Sequence, residues 1–193
     1  MNKKIEFPEH IIIVDVEFLN FMVSNFREFL STQLNRELPD LSIAELFTCL
    51  ALDSKIEEGV KEIQVLLLHD KNTSKLQSAT PSSLEKELNG AAFKSSLGEF
   101  VFSAVSTENL TSVDTLFLDL LTLGLESEKT KKILLISDDQ YDEDLIKLLK
   151  EKSSDNKEVF QFRMVEPEIK LPCKWDMLVF PLMKAFGVEG DEI

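Results

Sequence analysis

The stretch ILLISDDQYDEDLIKLLKE, residues 133–151, runs from an apolar strand through a knot of acids into an amphipathic helix. Its first four residues are aliphatic, and the apolar positions 145, 146, 148 and 149 then recur at helical spacing. Between them lie Asp138, Asp139, Asp142, Glu143 and Asp144. Acids at such a junction have two readings. They cap the helix and complement its dipole, an effect of about 0.5–2 kcal/mol. Or they form one arm of a metal site, which requires other carboxylates that the fold brings to the same place.

Working outward, the strand-then-helix pattern repeats along the chain. HIIIVDVE (10–17), EIQVLLLHD (62–70), EFVFSAVS (99–106), KKILLIS (131–137) and KEVFQFRMV (157–165) read as strands, the first β-branched and apolar enough to be buried on both faces. Helical spacing covers 18–34, with apolar residues at 18, 19, 21, 22, 26, 29, 30 and 34. Ser42 with Glu45 three residues on makes a capping box for a helix running to Gly59. Further helices are expected over 111–127, 142–154 and 173–187, the last broken by Pro181. The polar stretch 71–98 holds a short helix after Pro81 and reads as the variable segment. Alternating strands and helices predict one α/β domain over residues 1–193, a Rossmann-like three-layer sandwich on a mostly parallel five-stranded sheet.

Composition narrows the function classes. An apolar share of 44% supports a core, and no apolar run approaches the roughly 20 residues of a membrane span. Cys49 and Cys173 stand far apart without metal-ligand spacing, and the N-terminus has no signal-peptide pattern, so a cytoplasmic protein with reduced thiols is expected. Thirty-five acids against 21 bases give a net charge of −14. Only the lysine pairs 3–4 and 131–132 cluster, which disfavours RNA as a partner and leaves a protein partner or a second copy of the chain as the other classes. With six glycines and none in a strand-to-helix phosphate motif, nucleotide cradles of the P-loop or dinucleotide type are excluded.

Open parallel sheets bind ligands at the carboxyl ends of their strands. That edge gathers Asp15 and Glu17 after the first strand, His69 and Asp70 after the second, Asp114 after the third, and Ser137, Asp138, Asp139 and Asp142 after the fourth. Asp15 is the hardest to dismiss as structural, because an acid ending a buried strand is unfavourable unless something pairs with it.

IIIVDVEFLN (11–20), TSVDTLFLDLL (111–121), the 133–151 stretch, and VFQFR (159–163) with LPCKWDMLVF (171–180) together resemble the NYN domains of the PIN-like nuclease superfamily. The resemblance implies a divalent-metal-dependent ribonuclease fold. Asp15, Asp114 and Asp139 would be the catalytic metal carboxylates, Ser137 the serine that starts the acidic turn, and Mg²⁺ or Mn²⁺ the cofactor; Asp142, three residues after Asp139, would stand in for the second turn acid as a fourth ligand, and Glu17 and His69, at the same strand ends, would neighbour the site. Trp175-Asp176 would fill the family's Ala-Asp place in a last helix. Three positions depart from the family pattern: Asp138 replaces a glycine, Tyr141 the second turn acid, and Phe18 a polar residue. The alternative is therefore a catalytically inactive PIN/NYN-like binding or regulatory module.

The chemistry behind the metal reading is repulsion. Two carboxylates about 4 Å apart repel by roughly 4 kcal/mol at an effective dielectric near 20. A convergent cluster then raises its own pKa values or recruits a hard cation.

Overall fold

A computed structural model describes residues 6–192, so the Lys3–Lys4 pair lies outside the described residues. The five expected strands all form: β1 (His10–Asp15), β3 (Glu62–His69), β6 (Glu99–Ser106), β7 (Lys132–Ile136) and β8 (Glu158–Arg163). Two short strands extend the sheet at its edges, β5 (Ala92–Lys94) and β9 (Lys174–Met177), while β2 (Leu41–Ser42) and β4 (Ala79–Thr80) make a separate two-stranded pair. The main sheet therefore has seven strands rather than five, in the order β5-β6-β3-β1-β7-β8-β9. All neighbours are parallel except the β5–β6 pair. Sequence periodicity missed the extra pair because three or four half-exposed residues carry too little pattern to mark a strand.

Helices α1 (Val16–Leu34), α2 (Ile43–Asp53) and α5 (Val179–Ala185) pack on one face, and α3 (Val113–Glu126) with α4 (Asp142–Lys152) on the other. β1 serves both cores by alternation. Ile12 and Val14 join the first, Ile11 and Ile13 the second, each fully buried. No helix among the described residues is long and apolar enough to cross a membrane.

Local chemistry explains where the elements stop. Asp15 ends β1 and caps α1, accepting from the Phe18 amide at 3.1 Å. Ser42 caps α2 through the Glu45 amide, as the capping-box pattern indicates. α2 ends at Asp53, earlier than Gly59, because Lys55 turns left-handed (φ 59°) and the Ile56 amide folds back onto Ala51 O, burying Ile56. The expected final helix is split: residues 174–177 form β9, and α5 begins at Val179. Trp175-Asp176 thus lie on a strand, not in the helix the family pattern implies. Pro181 is the third residue of α5, in the first turn, where its missing N–H breaks no helical hydrogen bond. The polar 71–98 stretch is anchored by buried Leu76, Leu84, Leu88 and Leu97, and Leu84–Leu88 form a single π-helical turn.

From β1 the chain winds outward through β3 to β6, then returns under the sheet through α3 to β7 and continues to β8 and β9. The six parallel strands follow the 3-2-1-4-5-6 order of doubly wound sheets, so connections diverge between β1 and β7 and open a crevice at their carboxyl ends. α3 lies close against the strands flanking that crevice. A Cβ added at Gly124 would meet Ile11 Cδ1 at 2.7 Å and Ile133 Cδ1 at 3.2 Å. Gly124→Val is expected to destabilise the protein by about 1–3 kcal/mol through overpacking; an unchanged denaturation midpoint would show slack beneath α3.

Candidate functional site

A cleft of about 660 Å³ opens at the crevice. Its walls are the ends of β1 and β3 (Asp15, Asp70), the first two turns of α1 (Glu17, Phe18, Phe21), the start of α3 (Ser112, Val113, Asp114), and the turn after β7 with the first turn of α4 (Asp138, Gln140, Tyr141, Asp144). Six of these twelve residues are acidic and none is Lys, Arg or His, so its field is strongly negative.

Asp15 sits at the floor, 4% exposed, and is satisfied twice. Besides capping α1 through Oδ1, its Oδ2 accepts from the Tyr141 hydroxyl at 2.6 Å. Burial, that hydrogen bond, and the charges of Asp15, Asp114 and Asp138 together push the Tyr141 hydroxyl far above the ordinary phenol range. Tyr141 is therefore a fixed proton donor, wedged against the Phe117 ring at a centroid distance of 5.5 Å. Asp114 is exposed in the first turn of α3, and hydrogen bonding from Ser112 holds its carboxyl below the usual range. Asp138 accepts from the Gln140 amide at 2.9 Å, starting the 3₁₀ turn Asp139–Tyr141.

The acidic turn divides its side chains between two environments. Asp138, Gln140, Tyr141 and Asp144 line the cleft, whereas Asp139 and Asp142 meet Arg163 at the end of β8. Arg163 is 3% exposed. Its Nη1 donates to both Asp142 oxygens at 2.9 and 3.0 Å, and its Nη2 reaches Asp139 Oδ1 at 2.9 Å. Fully buried Gln161 completes the network, accepting from Arg163 at 3.1 Å and donating to Asp142 at 3.4 Å and Ser137 at 3.5 Å. Desolvation raises the Asp139 carboxyl above its ordinary value despite the guanidinium, and the charges of Asp142 and Asp138 add to the rise. Nearby, burial and the Asp142 charge push the Cys173 thiol up to about 11, leaving it protonated near neutrality.

Of the residues expected to share an ion, Asp15 and Asp114 face one cleft, and Asp139 and Asp142 are committed to a guanidinium outside it. Among the described residues, no group of three or more His, Cys, Asp or Glu side chains is arranged to hold a metal ion. The carboxylates as they stand do not fit a shared Mg²⁺ or Mn²⁺. Of the expected neighbours, Glu17 lines the cleft, Ser137 is buried behind it, and His69 points its Nδ1 at Asp70 O, 2.7 Å away, outside the cleft lining. Asp138, a departure from the NYN pattern, faces the cleft together with Asp144.

Arg163 and Gln161 were the residues that sequence reading passed over. The signal was present: after Glu158, the strand EVFQFR is apolar except for Gln161 and Arg163, which occupy alternate positions. Polar groups on a buried face need partners.

Loss of Arg163 leaves the partly buried Asp142 and the buried Gln161 without their partner. Arg163→Met is expected to destabilise the fold by about 3–5 kcal/mol. Arg163→Lys restores only part of this, since an ammonium lacks the planar fork that spans both carboxylates. Asp139 is half-exposed, so Asp139→Asn should change stability by less than about 1 kcal/mol. Equal losses for Asp139→Asn and Asp142→Asn in urea denaturation would overturn this division. Tyr141→Phe, which strips the buried Asp15 carboxylate of one donor, should destabilise by about 1–3 kcal/mol in the same assay; a neutral effect would mean that solvent replaces the hydroxyl.

No curated protein and no solved structure matches the chain. One family model does, over residues 4–193, and the chain belongs to that family, a family of unknown function (DUF6621).

Proposed function

We propose that the protein is a catalytically inactive PIN/NYN-like module whose acidic cleft binds a cationic partner. The observation that carries this reading is Arg163, which bridges Asp139 and Asp142 from within the fold. In the NYN pattern those carboxylates would face a divalent ion; here both pair with one buried guanidinium, which offsets one of their two charges. A second feature agrees with it. The cleft offers no basic side chain to hold a phosphate, and its six acids repel a polyanion.

The rival reading is a metal-dependent ribonuclease. It is favoured by the placement of Asp15, Asp114 and Asp138 in the lining of one cleft. Thermal unfolding with Mg²⁺ or Mn²⁺ separates the two, combined with incubation of single-stranded RNA in Mn²⁺. The expected result is no ion-dependent stabilisation beyond that of Asp15→Asn, and intact RNA. Cleavage that requires Mn²⁺ and disappears in Asp15→Asn would overturn the binding reading.

A further inference from the structure

α1 is apolar over more of its circumference than the sheet covers. Its buried stripe is Val16, Leu19, Val23 and Leu30. A second stripe runs beside it through Phe18, Met22 and Phe29, with Phe21 and Phe26 flanking. At about 100° per residue, the two stripes together span about 160° of the helix surface and reach about 220° with Phe21, against the roughly 100° that burial on one core needs. Phe18 and Phe26 rest partly on the core, but Phe21 and Phe29 stand 61% and 55% exposed. Exposing two phenylalanines on one helix, one of them extending a ring stack with Phe26, is unusual for a surface with no partner.

The spacing and the surrounding charge select the occupant. Phe18, Met22, Asn25 and Phe29 alternate by four and three, the spacing of a seam against which a second helix packs, with exposed Asn25 its one polar position. At its N-terminal end the stripe runs into the cleft, since Phe18 and Phe21 form part of the cleft wall beside the acids. A second copy of the chain would bring another net charge of −14 and the same acids to that contact. An anionic bilayer meets the same repulsion.

We propose that this face of α1 docks an amphipathic helix of a partner protein, with apolar residues on the Phe18–Met22–Phe29 stripe and flanking Phe21, and Lys or Arg reaching into the cleft. This rests on the cleft being a binding surface rather than a catalytic one. Helix-in-groove recognition of this kind draws its affinity from a few aromatic anchors, and its charge complementarity sets the approach and the choice of partner.

The test uses the whole chain and a fluorescein-labelled helical peptide of Leu and Lys at amphipathic spacing, followed by anisotropy. Saturable binding is expected, weakened about tenfold or more by Phe21→Ser with Phe29→Ser, the loss of one or two anchors. Asp114→Asn with Asp138→Asn, or added salt, should weaken it further, and a Leu–Glu peptide should not bind. Both pairs change exposed or half-buried positions, and circular dichroism melts confirm that the variants fold. Absence of binding by the wild type, or equal binding by the phenylalanine variant, overturns the proposal. So does light scattering that finds a wild-type dimer made monomeric by Phe21→Ser with Phe29→Ser, because a second copy would then cover the face. Mn²⁺-dependent RNA cleavage would overturn the non-catalytic reading instead, an outcome the peptide titration reads separately.

Discussion

A guanidinium cannot lose its charge near neutral pH, so burying one dictates what surrounds it. Arg163 at the end of β8 makes that demand, and much of the carboxyl edge is arranged to meet it. Asp142 and Asp139 supply the counter-charge, which fixes the 3₁₀ turn and the start of α4. With the turn fixed, Tyr141 enters the core beside Phe117 and its hydroxyl reaches Asp15. Asp15 in turn caps α1. A run of polar contacts thus crosses from β8 to β1, tying the helices of one face to those of the other. In a low-dielectric setting each link strengthens its neighbours, and each broken link strands a buried polar group.

The alternating α/β plan was legible because each of the five long strands buries at least one continuous apolar face and each long helix carries an unmistakable period. Asp15 and Asp114 at the cleft were legible too, since the chain order of a parallel sheet brings strand ends together. The split of the acidic turn was not. Neighbouring acids in a one-turn 3₁₀ segment point in different directions, and which of them faced the cleft depended on Arg163, 24 residues beyond Asp139 in sequence. The fate of Lys174–Met177 was equally hidden. Pro181 argued for a broken helix, when the chain had already used the preceding residues to pair with β8.

Charge is distributed unevenly over the two ends of the sheet. At the amino ends of the strands, lysines meet glutamates: Lys129 with Glu6, Lys131 with Glu9, and Lys132 and Lys174 with Glu158. Exposed pairs like these contribute little to stability individually. Their effect on the field is larger, because bases are spent at that end and the carboxyl end keeps its acids uncompensated within the cleft. A protein with this polarity draws cationic surfaces most strongly to the cleft side, and salt weakens that attraction over about 8 Å under physiological conditions.

The two strands that sequence reading missed have a bearing on how molecules of this protein meet one another. β5 and β9 border the sheet, at three and four residues, each carrying a lysine (Lys94 and Lys174). β6 and β8, with eight and six residues, would otherwise present long unpaired backbones. Short, charged borders give an incoming strand few hydrogen bonds and an unfavourable site to bury, a common protection against edge-to-edge pairing. Growth of the sheet from one molecule into the next is thereby disfavoured at both sides, which favours association through the helix-covered faces, where side chains rather than backbone choose the partner.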